Sequence, residues 1–230
     1  CYLNDPVLAM LSLRRNGVRR IAYVDIDAHH CDGVAVGFHG DPECLMISVP
    51  EERRWPRTGL IDDDAGGAAL NLPVPRGLND SEMDYIRDRF IVPQVVAFEP
   101  EAIVFLCGAD SVEEDPLAHL GLSNNAHWAV TKALMALAPR FLVLGGGGYN
   151  PWSVGRLWTG VWATLNSFEI PDLLPREGVD VLAALHFEGN RRGRNPPSHW
   201  FETLKDAPRP GPVRTEIEDR VAYLNARRGA

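Results

Sequence analysis

IAYVDIDAHHCDG, residues 21–33, runs from a mostly apolar stretch straight into acids and histidines. Its first part, Ile21–Ile26, is continuous rather than alternating in its apolar character. A run of that kind marks a strand buried on both faces, as in a parallel sheet. Four more stand along the chain: Cys44–Val49, Ala68–Val74, Ala102–Cys107 and Phe141–Leu144. Helix-like segments lie between several of them. Asn4 or Asp5 can cap one running to about Arg15, with Pro6 in its first turn. Asp80 can cap a second through Tyr85, Ile86 and Phe90, which Pro93 must interrupt or end. Asn124 or Asn125 can cap a third, stopped by Pro139, and a fourth follows Pro151 with Val154, Leu157, Trp158 and Val161 on one stripe. The β–α alternation predicts an α/β fold, a doubly wound and mostly parallel sheet.

Ligands of such sheets bind outside the carboxyl ends of the strands. Three strand ends carry notable residues: DIDAHHCDG at 25–33, GAD ending at Asp110, and GGGGY at 145–149. Asp27 and His29 are two apart, so in extended chain both point one way. Asp110 adds a carboxylate from another strand end. Two carboxylates and one imidazole leave a fourth position open, as a catalytic metal site requires. The alternative is that Asp27 caps a turn and His29 is a surface histidine. Asp25, at the end of a buried strand, must be paired or hydrogen-bonded. It can orient a histidine or bind a monovalent cation. Asp32 has the same options, or is a turn residue before Gly33. His30 is expected to be structural. Gly145–Gly148 permits close backbone approach but lacks the Lys-Ser/Thr ending of a phosphate loop. Tyr149 offers a phenolic donor to an oxyanion, or packs its ring in a turn.

Composition narrows the class. The chain has 230 residues, 45% hydrophobic and 23% charged, with a formal net charge of −8. It lacks the basic footprint of a nucleic-acid binder. The one locally basic stretch, residues 191–194, is expected to be a solvated loop. No apolar run is long enough for a membrane helix. The four cysteines (Cys1, Cys31, Cys44, Cys107) form no metal-binding spacing, which suits a reduced, cytoplasmic setting. A chain opening at Cys1 is expected to be processed, cloned or incomplete. After Asp172 the sequence is rich in Pro, Gly and Arg, predicting a surface-wrapped extended tail that ends in a helix near residues 215–225. The expected division is 1–172 as the C-terminal part of a larger domain and 173–230 as a Pro/Arg-rich extension packed on it.

CYLND, YVDIDAHHCDG, CGADS, DPLAHL and GGGGYN, in that order and followed by W-T, resemble the histone deacetylase family. The resemblance extends from Cys1 to about Trp162. DPLAHL and the tail lean toward its bacterial acetoin-utilisation members. The resemblance implies a sheet of the arginase/deacetylase type and hydrolysis of an acetylated lysine side chain or an acetylated small amine. It puts zinc, or ferrous iron, on Asp27, His29 and Asp110, and the catalytic tyrosine on Tyr149. It matches Asp25 and Asp32 to the carboxylates behind two catalytic histidines. Asp25, Asp27, His29, Ser48 and Val49 match an inner potassium site. Trp55, Leu117, Gly147 and Gly148 match the substrate tunnel.

Three departures stand out. Cys31 replaces the glycine of HHGDG. WPRTG replaces FPGTG, bringing Arg57 to the rim. The family's His-His pair precedes the CY of CYLND, so the sheet is expected to lack its N-terminal strands, with Phe141–Leu144 as an exposed edge. An arginase-like ureohydrolase would need two further ligands where Cys31 and Val112 stand. The other alternative is an inactive metal-binding fragment or pseudo-enzyme.

Overall fold

Five parallel strands form where the apolar runs stand: β1 (Ile21–Asp25), β2 (Cys44–Ser48), β3 (Ala69–Asn71), β4 (Ala102–Leu106) and β5 (Phe141–Leu144). They make one sheet of order β3-β2-β1-β4-β5 in a computed structural model that describes residues 3–189 and 191–228. Central β1 sets Ile21 opposite both Cys44 and Ala102. Its residues alternate between two cores: Ala22 and Val24 face one, Ile21 and Tyr23 the other. This two-sided burial is why the strands read as unbroken apolar runs. β3 is shorter than its run: Leu72 N and Val74 N still donate to Ser48 O and Pro50 O, but Pro50 has no N–H to return to the ladder. β5 pairs only with β4 among the described residues and is a partly exposed edge.

The helices are α1 (Asp5–Arg15), α2 (Asp32–Gly37), α3 (Asp80–Ile86), α4 (Val92–Phe98), α5 (Asn124–Leu134), α6 (Pro151–Leu165), α7 (Arg176–Ala183), α8 (Arg191–Arg194), α9 (His199–Glu202) and α10 (Thr215–Arg228). Met10 of α1 and Val34 of α2 pack on one sheet face; α3 to α6 and α10 fill the larger core on the other. Asn4 caps α1, its Oδ1 accepting from Val7 N.

Other caps differ from expectation. Asn79, not Asp80, caps α3 in a reciprocal capping box with Glu82. Asp80 instead accepts from the Ser123 amide and hydroxyl and from Arg209 N. Ser123 is the N-cap of α5, and Asn124 is diverted to the tail: Asp206 Oδ2 accepts from Asn124 N, and Asn124 Oδ1 from Asp206 N, each at 3.0 Å. Of the two outcomes expected of Pro93, the helix is interrupted and not ended. A π-helical turn at Arg87–Ile91 carries the chain through. Pro93 has no N–H for the carbonyl of Arg89, and Asn225 Nδ2 supplies the donor at 2.9 Å.

The tail is more helical than predicted, since α7, α8 and α9 precede α10, and the basic stretch at 191–194 is a helical turn rather than a loop. Ile217, Val221 and Leu224 of α10 complete the larger core. The tail is also held by a buried ion pair, Arg156 Nη1 to Asp206 Oδ1 at 2.5 Å, with both side chains almost fully enclosed. Arg156 further donates to the carbonyls of Thr203 and Lys205. Removing one partner of a buried pair strands the other charge and costs about 3–5 kcal/mol. Asp206→Ala is therefore expected to lower unfolding stability in urea by about that much. A loss within ±0.5 kcal/mol, as for about any neutral surface change, would contradict the pair's role.

Candidate metal centre

β1 ends on Asp25, and the chain then leaves the sheet through Asp27 and His29. Asp25 is 3% exposed and not bare: Tyr23 Oη donates to Oδ2 at 2.6 Å and Asp27 N to Oδ1 at 2.9 Å. Burial pushes its carboxyl well above the usual range, and the charge of Asp27 adds to this. Asp27 Oδ1 accepts from His29 N at 2.8 Å, and Oδ2 from Gly147 N at 2.7 Å. Asp110, fully buried in the turn Ala109–Ser111 after β4, accepts from Ala28 N at 2.9 Å. Three separate chain segments are thus fixed to one another by these two carboxylates.

His29 Nδ1 lies 2.8 Å from Asp110 Oδ2 and 3.0 Å from Asp27 Oδ1. One ligand atom from each of Asp27, His29 and Asp110 lies within 4.8 Å of the others. The hydrogen bonds to Asp110 and Asp27 lift His29 to about 10, outweighing its burial. Burial lifts Asp110 to about 6, although its bond to His29 works the other way. Asp27 moves down: its burial is outweighed by the hydrogen bonds from His29 and Gly147. Two buried carboxylates converging on one imidazole nitrogen hold a positive charge in place. The same donor set of two oxygens and one nitrogen fits a single divalent transition ion.

The glycine run closes the site from above. A Cβ on Gly147 would sit 2.1 Å from Asp110 Oδ2, so only glycine fits there. A cavity of about 380 Å3 opens in front, lined by Asp27, His29, Trp55, Gly147 and Tyr149 among others. The Trp55 ring meets His29 edge-on at 6.4 Å between centroids. Tyr149 is partly exposed, and its phenol is raised by burial and by the charges of Asp110 and Asp27. Leu117 and Gly148 fall outside the described lining. Leu117 is an exposed side chain nearby, and Gly148 packs against Ala109 and Val154. Asp32 is at the rim in the first turn of α2, exposed, with Oδ1 on Gly33 N at 2.7 Å. His30 is buried, its Nδ1 2.9 Å from Thr58 Oγ1, and it ties down the loop carrying Trp55.

Sequence reasoning missed two supports. Tyr23 is two residues before Asp25 on the same strand face, a period-two signal that could have exposed it. Asp115, fully buried, accepts from Tyr149 N at 2.6 Å and Leu117 N at 2.8 Å. Asp115 opens the DPLAHL segment, but nothing in that segment or in the run EED assigned its carboxylate this role.

Fold and site together define a parallel α/β protein with a carboxylate–imidazole cluster at its strand ends. Residues 1–165 match the histone deacetylase domain family. The chain is 34% identical over 230 residues to histone deacetylase 9 of Arabidopsis thaliana, covering 97% of this chain and 53% of that protein. Against histone deacetylase 1 of Homo sapiens the identity is 34% over 180 residues, 76% of this chain and 37% of that one. The crystal structure of an HDAC homolog from Aquifex aeolicus matches with a TM-score of 0.87 at 33% identity, covering 97% of this chain and 62% of that one. An HDAC homolog complexed with SAHA matches with a TM-score of 0.86 at 34% identity, with the same coverage. The chain belongs to the histone deacetylase family. It spans about half the length of histone deacetylase 9, at 53%.

Proposed function

We propose that this chain carries the metal-binding part of a deacetylase that hydrolyses an acetylated lysine side chain or a similar acetylated amine. The observation that supports this best is the convergence of Asp27, His29 and Asp110 within 4.8 Å, with Asp27 and His29 facing a cavity that Tyr149 also lines. Zinc or ferrous iron held by these three residues would supply Lewis acidity toward the amide carbonyl and toward water. The protein groups do the rest. Tyr149 donates its phenolic proton's hydrogen bond to the oxyanion of the tetrahedral intermediate. Asp115 anchors the Tyr149 backbone. Gly147 N orients Asp27, and Trp55 forms the cavity wall opposite.

The general base is assigned to the family's histidine pair, which the resemblance places before CYLND. His29 and His30 are the described histidines that line the cavity. His29 Nδ1 is held by the two carboxylates, and His30, with Nδ1 on Thr58, has its unpartnered Nε2 buried out of solvent contact, so neither is placed to take a proton from water. Asp25 and Asp32 are assigned to orient the pair, Asp25 from the buried floor and Asp32 from the rim.

A potassium ion is assigned beside Asp25, Asp27, His29, Ser48 and Val49. Ser48 Oγ is buried without an oxygen or nitrogen partner, next to the Cys31 thiol. A buried hydroxyl in that state invites a ligand. DPLAHL and the tail sequence favour an acetoin-utilisation type of protein; the cysteine usage favours the cytoplasm, and the net charge of −8 argues against a nucleic-acid partner. No described helix is long and apolar enough to cross a membrane.

Metal titration tests the site's class. One equivalent of zinc per chain is expected. Two equivalents of manganese, with none of zinc, would move the site to the arginase-like class.

A further inference from the structure

His127 of α5 approaches the metal centre from behind and is fully enclosed. Its Nε2 lies 3.0 Å from the carbonyl oxygen of Gly108 and 2.8 Å from Ser111 Oγ. The Ser111 hydroxyl donates to the same Gly108 oxygen at 3.2 Å. A carbonyl only accepts, so Nε2 carries the ring proton and donates it there. Burial keeps the imidazole neutral by lowering its pKa.

Gly108 and Ser111 bracket the turn that carries Asp110. That turn has few freedoms left. Ala109 N donates to Gly147 O at 2.6 Å, and a Cβ on Gly108 would sit 2.1 Å from Asp27 Oδ2. The direction of the Gly108 carbonyl therefore fixes how the turn sits against both Asp27 and the glycine run. From that turn Asp110 reaches forward to Ala28 N and His29 Nδ1. α5 is itself firmly seated, through Asn124 and Asp206 at its start and Val130 and Leu134 in the core.

We propose that His127 is a positioning residue: its Nε2–H bond to Gly108 O sets the turn that aims Asp110 at Asp27 and His29, so α5 tunes the metal affinity of the site. This rests on the metal assignment of those three residues. A merely space-filling histidine would affect stability alone.

The test compares zinc affinity and thermal midpoint for the parent chain and four variants. His127→Gln can place an amide N–H near the Nε2 position; His127→Asn places it nearer Nδ1; His127→Phe removes the donor. Leu134→Ala opens the core of the same helix without touching Gly108. Loss of a partner behind a metal ligand lowers affinity about 10–100-fold. That loss is expected for His127→Asn and His127→Phe. His127→Gln is expected to bind close to the parent, and Leu134→Ala to melt earlier while binding zinc as the parent does. If His127→Phe does not fold, the Gln and Asn variants decide. Equal zinc affinity in all His127 variants overturns the inference, as does a loss that simply follows the thermal midpoint through Leu134→Ala. A parent chain that takes up no zinc overturns the metal assignment and this inference with it.

Discussion

Residues 1–230 alone are expected to hydrolyse an acetyl-lysine peptide about two to four orders of magnitude more slowly than a longer chain that also contains the family's histidine pair. That range is the usual contribution of positioned proton transfer. On the proposed reading the residues present account for the carbonyl and the oxyanion: Asp27 and His29 line the cavity, as does Tyr149. On the same reading the base comes from the family's histidine pair rather than from these residues. His30 is the nearest unligated imidazole, and its ring is packed under Gly59 with Nδ1 on Thr58. His127 is enclosed behind the site and bonded to Gly108. Substrate alignment adds to the deficit, because a misplaced carbonyl loses the gain of a bound geometry. The comparison is an acetyl-lysine peptide assay on both chains with zinc content matched. Equal turnover would mean that the base lies within residues 1–230.

Asp110→Ala is expected to weaken zinc binding by more than about a hundredfold, the upper end for loss of a mere outer partner, since a direct ligand is removed. The carboxylate does two jobs. Oδ2 contacts His29 Nδ1, and Oδ1 accepts from Ala28 N between the other two ligands. Deleting it removes one donor and loosens the spacing of the remaining pair. Asp110→Asn separates the two effects. Its amide oxygen can still accept from Ala28 N, so the backbone stays placed while the negative charge goes. Zinc affinity by competition with a chelating dye gives both values. An unchanged dissociation constant in Asp110→Ala would remove Asp110 from the site.

The fold was legible because its strands are buried on both faces. Each of the five apolar runs became a strand, and the largest trimming, at β3, falls where Pro50 on the neighbouring segment has no N–H to donate. Helix caps were legible only to within a residue or two. Asn79, Asp80, Ser123 and Asn124 are all good capping types. Which one caps was settled by the tail, which draws Asp80 to Arg209 and Asn124 to Asp206. Pro93 interrupts the helix with a π-helical turn but does not end it, because its lost hydrogen bond is replaced from Asn225, 132 positions on by sequence number.

The site was legible where strand-end position and residue type coincide. Asp27, His29 and Asp110 each follow an apolar run, and each arrives in the cluster. The supporting residues were less visible, because each acts through a partner remote in sequence or unremarkable in type. Asp115 holds Tyr149 across a separation of 34 residues. His127 reaches Gly108 from a helix whose sequence signals only an apolar stripe. Leu117, placed in the tunnel by resemblance, is an exposed side chain beside it, and its amide is what Asp115 holds.

The most direct test of the central claim is an anomalous difference map at the zinc edge from crystals of this chain grown with zinc. A single peak is expected between Asp27, His29 and Asp110, about 2.0–2.2 Å from a carboxylate oxygen of each Asp and from Nδ1 of His29. No peak there, or a zinc bound elsewhere while His29 keeps its contacts to both carboxylates, would contradict it.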